Sequence, residues 1–357
     1  MIYLNSVCID ETIVGGRSYN ETDVLICNCL FGRSMQYSDD GGVIYLYTGA
    51  YKLDVSYSVF YNCSSLNRGG AIYTYNLINA SVTMVCAYRC FAVHGYHFAR
   101  LYSSKNIVMR YLSISSCSYY PHGAYSISPT AGFQEYYENN CSLNYAMHYS
   151  DILFESPSTF ASAYNSFCNN SVSEYICIFL SMIPGTIGYS NIINDLSPSY
   201  GVVYINGGNP CFDHCIFDMN KNTLFYVNSG SLSISNSFIY HSGTFSTFSP
   251  VQTNNNNSMT RIETYQMVFF ASHYCHADNP IMKQTPVITI DPTPIITQSS
   301  TIIMTINESP MCSEKETPYR SYDDTIRTFV LPKSCNIKLK KEIVNIFALS
   351  FWPLSLI

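Results

Sequence analysis

Charge is scarce in this chain. Asp, Glu, Lys and Arg make up 12% of its 357 residues, about half the share of an average soluble domain. The net charge is −6 and a basic cluster is lacking, which argues against a phosphate-backbone footprint, so nucleic acid is not an expected partner. A glycine-rich phosphate loop, a nucleophile elbow and an H-E-x-x-H motif are also missing, which leaves nucleotide binding by a familiar mechanism without support. The N-terminal MIYLNSVCIDETIVGG has neither a basic n-region nor a continuous apolar core, and so does not read as a cleavable signal peptide. The apolar end, IVNIFALSFWPLSLI after Lys338, Lys340 and Lys341, holds the only Trp and is 15 residues long. That is short of the roughly 20 residues that cross a bilayer. A truncated anchor, an interfacial segment and a capping helix all fit it.

Aromatic and small residues fill the space that charge leaves. The chain has 32 Tyr, 20 Phe and 15 Cys, and its hydrophobic share of 47% permits a substantial core. Cys63, Cys90, Cys117, Cys141 and Cys168 follow one another at 27, 27, 24 and 27 residues, each closing a short segment such as SVFYNC, LSISSC or YNSFC. Glycine pairs open alternating strand patterns, as in GGAIYTY at 69–75, and Gly42 to Gly70 and Gly95 to Gly123 are both 28 residues. A tight corner needs φ > 0 without a Cβ penalty, which suits glycine. The rhythm returns in GVVYING at 201–207, in Cys211–Phe217 and in Leu232–Tyr240, with Phe217 and Phe238 at equivalent positions.

Repeats of this length built from strands and turns bury their apolar face only against their neighbours. They predict an all-β fold, a right-handed parallel β-helix (solenoid) of about 8–10 coils with an irregular C-terminal tail. The expected layout is an N-terminal cap over 1–19, the β-helix over 20–306, a linker or irregular tail over 307–341 and the short apolar segment over 342–357. A β-sandwich also uses many short strands, but gives no reason for the cysteine period. The five periodic cysteines are expected to stack in one file as buried free thiols. Close pairs such as Cys86/Cys90 and Cys211/Cys215, or pairs between adjacent turns, leave disulfides open, and the odd total leaves at least one thiol free or intermolecular. Asn62, Asn140, Asn169, Asn194 and Asn236 are the candidates for turn caps or an asparagine ladder. Seven N-x-S/T triplets, at Asn20, Asn62, Asn79, Asn140, Asn169, Asn256 and Asn307, mildly favour a secreted setting.

Gly69-Gly70-Ala71-Ile72 with the upstream S-x-F-x-N-C segment at 58–63 resembles the GGAI and FxxN repeats of the chlamydial polymorphic outer-membrane proteins. It is similar too to surface-protein families of parasitic protists such as Trichomonas. Gly41-Gly42-Val43-Ile44 is a near match; His122-Gly123-Ala124-Tyr125 and Gly201-Val202-Val203-Tyr204 are looser. More broadly, the blocks resemble the pectin-lyase-like class of right-handed β-helices, over roughly residues 20–250. The resemblance implies a surface role, adhesion among them, and no catalytic residue to carry over. The polygalacturonase-like members use Asn-Thr-Asp, Asp-Asp, Gly-His-Gly and Arg-x-Lys elements on neighbouring coils. Here Asp39-Asp40 runs into Gly41-Gly42 and reads as a turn, Pro121 precedes His122-Gly123, and Arg-x-Lys does not occur. A lyase wants clustered calcium-binding carboxylates, and Arg100, Lys105 and Arg110 have none beside them in sequence. Cys211, His214 and Cys215, and His273, Cys275 and His276, are small zinc-type clusters without partner pairs at convincing spacing.

These readings assign no catalytic, cofactor-binding or metal-binding residue and call for no cofactor. The expected function is that of a non-enzymatic surface or secreted repeat protein with a binding, adhesive or structural role. Its expected partners are glycans or host or cell-surface proteins, with membrane association through the C-terminal segment left open. The alternatives are a polysaccharide-degrading β-helix enzyme, lyase or glycoside hydrolase, with a degenerate motif, and a partial gene product without independent function.

Overall fold

Three-residue and five-residue apolar alternations cannot bury a face alone, so each must stack on the coil before it. The computed structural model describes residues 2–4, 7–9, 13–15, 22–36, 40–47, 50–117, 124–248, 251–253, 257, 264–265 and 269–270, and over these the chain is a parallel β-solenoid of about eight turns. The predicted C-terminal tail and apolar segment, and His122, Gly123, His273, Cys275 and His276, lie outside the described residues.

Each turn carries strands on three faces, and the pairings between turns are parallel. The first face includes Ile127–Thr130, Ile176–Ile183 and Val203–Gly208. The second includes Phe133–Tyr137, Thr159–Ala163, Thr186–Gly188 and Cys211–Asp213. The third is made of three-residue strands such as Ser113–Ser115, Asn140–Ser142, Ser166–Cys168 and Asn191–Ile193. Alternation sends every second side chain inward. The second face thereby stacks Val55, Val82, Met109, Tyr136, Ser162, Ile187, Phe212 and Ile234 in one buried column.

The corners explain the sequence signatures. Positive φ recurs at residues five apart, at Tyr57 and Asn62, Met84 and Arg89, Tyr111 and Ser116, Glu138 and Leu143, Tyr164 and Asn169, Tyr189 and Asn194, and His214 and Met219. Each pair encloses one buried corner residue and a three-residue strand, which is the content of S-V-F-Y-N-C at 58–63. The GGAI element forms another corner. Gly69 takes φ +66, and a Cβ on Gly70 would lie 2.1 Å from the His97 carbonyl oxygen. Gly42 meets the same limit beneath the Gly70 carbonyl, at 2.0 Å, so the 28-residue glycine spacing is one coil.

The cysteine file holds for three coils and then changes register. Cys63, Cys90 and Cys117 share one corner position, and the column continues through Asn144, Asn170, Asp195 and Asn220. Cys141 instead pairs with Ile114 as an inward strand residue, and Cys168 pairs with Ser142. Coil length explains the change of register: the column advances by 27 residues up to Asn144, so the 24-residue step to Cys141 falls three positions short. Phe217 likewise pairs with Ile239, and Phe238 with Ile216, one position from the expected match. Cys90, Cys211 and Cys215 are free thiols, so neither suggested close pair is a disulfide, whereas Cys86 is disulfide-bonded.

The outer side of the third face is covered. Ser113, Ser115, Asn140 and Ser142 point away from the core, yet each is buried. Tyr265 lies over this face, its N–H donating to Asn191 Oδ1 at 3.2 Å and its carbonyl accepting from Asn191 Nδ2 at 2.9 Å. Phe270 packs against Val59 and Cys86, and its N–H donates to the Tyr111 carbonyl at 3.2 Å.

Candidate binding surface

Stacked coils place identical positions one above another, so a tyrosine recurring at one position becomes a ladder of rings. At the corner before the third face, Tyr164 and Tyr189 stack with centroids 5.2 Å apart, and Tyr189 stacks on His214 at 4.8 Å. On the first face Tyr204 stacks on Tyr226 at 5.1 Å and meets Phe179 edge-on at 4.9 Å. Arg100 lies over both Tyr73 and Tyr96, 5.9 and 4.9 Å from the ring centroids. These spacings are those of favourable aromatic pairs. Within a ladder the ring faces are taken by neighbouring rings, leaving edges and hydroxyls to solvent.

The second face interrupts this pattern. Its outer column runs Arg110, Tyr137, Ala163, Gly188, Asp213, Ser235. Two successive coils thus contribute almost no side chain, and a shallow depression of about 470 Å³ opens between Tyr137 and Asp213. Phe160, Thr186 and Tyr189 also line it. Arg110 covers one side of the Tyr137 ring, 5.6 Å from its centroid, and is ion-paired with Glu135.

Asp213 is the charged group of the depression. Its partial burial favours the neutral acid, but donors outweigh this and hold the carboxyl below its usual range. Ser235 Oγ lies at 2.6 Å and Asn236 Nδ2 at 2.8 Å from Oδ1, and His214 Nδ1 lies 2.9 Å from Oδ2. The Cys211, His214, Cys215 cluster does not converge. His214 faces outward against Tyr189 and Asp213, while Cys215 points into the core, where burial pushes its thiol up to about 12. Burial likewise raises the Cys63 and Cys117 thiols well above their ordinary value, which leaves them poor nucleophiles. Asp40 accepts the Arg68 backbone N–H at 3.0 Å from the next coil, a corner role.

Two of the asparagines that the sequence singles out do meet between coils, Asn194 Nδ2 donating to Asn169 Oδ1 at 2.7 Å, but the buried ladders are built by other residues. Asn62, Asn169, Asn194 and Asn236 are positive-φ corner residues, and Asn140 lies buried on the third face. The ladders are built by Asn139 and Asn165 at one corner and by Asn144, Asn170 and Asn220 at the other. Each amide oxygen accepts a backbone N–H from the preceding coil, and each amide nitrogen reaches a carbonyl of that coil, as in Asn139 Nδ2 to Met109 O at 3.1 Å and Asn170 Nδ2 to Cys141 O at 3.0 Å. The depression too was missed, because absent side chains leave no motif. Comparison with protein-family profiles, curated proteins and solved structures finds no match to this chain.

Proposed function

We propose that this β-solenoid is a non-enzymatic surface or secreted repeat protein that acts through binding, with its ligand docking in the depression of the second face. The observation that carries the reading is the break between Tyr137 and Asp213 in an otherwise side-chain-filled wall. The GGAI-type corner supports kinship with the chlamydial and protist surface repeats it resembles, within the broader pectin-lyase-like class. Exposed Asn62 and the Cys86 disulfide are compatible with an oxidising, glycosylating compartment.

Carboxylate spacing weighs against the hydrolase alternative. Glu135 and Asp213 are the acids nearest the depression on this face, and they lie three coils apart. At about 4.8 Å per coil that is about 14 Å, beyond the roughly 5–9.5 Å that paired carboxylates use in glycoside hydrolysis. Glu135 is moreover neutralised by Arg110. Incubation with polyuronides and neutral glycans, scored for released reducing ends and unsaturated products, is expected to give no turnover. Turnover lost in Asp213→Asn or Glu135→Gln would replace this reading with the enzymatic one. Surface biotinylation in the protein's own cells, with and without residues 342–357, is expected to label the full chain; strictly cytosolic protein with every thiol reduced would remove the surface role.

A further inference from the structure

Gly188 has no structural reason to be glycine. It sits in a regular strand between Ala163 and Asp213, and it is not among the positive-φ residues. Among the described residues a Cβ built on it would meet only the Ala163 Cβ and the Asp213 carbonyl oxygen, both at 3.8 Å, ordinary van der Waals distances. Gly42 and Gly70, by contrast, are required by carbonyls at 2.0 and 2.1 Å. A glycine inside a strand costs stability and marks a place where something else approaches the backbone.

The surroundings say what approaches. Tyr137 has Arg110 on one face, and its other side lines the depression above Ala163, where the column supplies a methyl group instead of the next ring. Among the described residues no ring covers that face, which leaves it to stack a ring of another kind at the usual interplanar spacing. Beyond it the floor is Ala163 and Gly188, flat for two coils, and Tyr189 forms the side wall. At the far end stands Asp213, kept ionised by three donors, with the exposed Thr186 hydroxyl beside the floor. A ring face and a methyl group beside bare backbone, with hydroxyl acceptors at the far end, match a pyranose, which has an apolar C–H face and an equatorial rim of hydroxyl donors. An ionised acid as the site's charged group disfavours carboxylated and phosphorylated ligands.

We propose that the depression is a glycan subsite in which a neutral sugar ring stacks on Tyr137 in place of the missing ladder ring. The next ring lies over Gly188, and its hydroxyls donate to Asp213. This rests on the binding reading above and names the ligand class for that site.

The test is titration of the full chain with neutral oligosaccharides of glucose, mannose, galactose and N-acetylglucosamine, with oligogalacturonate as the acidic comparison. Saturation-transfer NMR and calorimetry are the readouts. Saturable binding of at least one neutral series is expected, with oligogalacturonate at least tenfold weaker. Tyr137→Ala is expected to weaken binding at least tenfold and Tyr137→Phe less than threefold. Gly188→Leu should abolish binding while the thermal midpoint stays within a few degrees, and Gly188→Ala controls for any folding defect. Failure of all four neutral series to bind, or a preference for oligogalacturonate, overturns the proposal. Binding of a neutral series that is indifferent to Tyr137→Ala and Gly188→Leu also overturns it, yet leaves a glycan-binding function standing elsewhere. Turnover of any series refutes the non-enzymatic reading itself.

Discussion

Asp195 is the residue where chemistry and architecture conflict most. It occupies a ladder position otherwise held by Asn144, Asn170 and Asn220, fully buried. Its Oδ1 accepts the Asn170 N–H at 2.8 Å, but among the described residues Oδ2 has no partner at the place where its neighbours donate an amide N–H. Burial raises the carboxyl to about 8, with the Asn170 hydrogen bonds opposing the rise. A proton on Oδ2 therefore supplies the donor that the ladder requires. The unfolded group ionises near about 3.9. Between those values the folded state binds the extra proton, so this group's contribution to stability falls as pH rises from about 4 to about 8 and is level above that. Asp195→Asn should abolish that slope and gain about 2 kcal/mol at pH 8, with little change at pH 4. Urea denaturation at both pH values measures it, and parallel pH profiles for the two proteins would refute the account.

The ladder also shows how far single residues were legible. The cysteine period exposed the column as long as cysteine occupied it, through Cys117. Beyond that point the column passes to Asn144, Asn170, Asp195 and Asn220, two of them second members of the doublets Asn169-Asn170 and Asn194-Asp195, while the doublet Asn139-Asn140 serves the other corner. One member of each doublet builds the buried ladder, while its neighbour lies buried on the third face, as Asn140 does, or pairs at the partly exposed corner, as Asn169 and Asn194 do. Composition cannot separate them, because a one-residue slip decides which side chain turns inward.

At the scale of the element, the corner does more than the strand to set the fold. GGAI was readable because two glycines in sequence are rare and each answers a different constraint, φ at Gly69 and close approach at Gly70. Gly70→Ala should destabilise by about 3 kcal/mol, since neither neighbouring carbonyl can retreat without breaking its own coil. Gly188→Ala should instead be neutral or stabilise by about 0.5–1 kcal/mol through reduced unfolded-chain entropy. Thermal melts of the pair provide the contrast, and equal losses would mean that Gly188 is structural after all. The tyrosine and methionine corners, Tyr57, Met84, Tyr111, Tyr164 and Tyr189, carry φ from 47 to 57 and were not legible, because nothing in a side chain of that size announces a left-handed backbone.

For the whole molecule, coil-on-coil stacking makes burial a property of the column. Cys63, Cys90, Cys117 and Cys141 are fully buried, whereas Cys211 faces outward and is partly exposed. Maleimide labelling of the native protein, read by peptide mass spectrometry, should modify the partly exposed Cys27 and Cys211 and leave the buried four unreacted until denaturant is added. Rapid labelling of Cys90 in the native state would contradict the stacked corner. The fold class was legible because the period repeats; the depression was not, because it depends on Ala163 and Gly188 lying side by side although 25 residues apart.

That adjacency is the claim on which the solenoid register and the proposed site both stand, and one cross-link tests it. A Cβ at Gly188 lies 3.8 Å from the Ala163 Cβ, close to the mean separation in natural disulfides. The Ala163→Cys/Gly188→Cys double variant should oxidise nearly completely to an intramolecular disulfide joining these two positions, read as a cross-linked peptide. Tyr137→Cys/Gly188→Cys, two coils apart, should not. No bond between 163 and 188, or equal yield in both variants, would contradict the register and everything built on it.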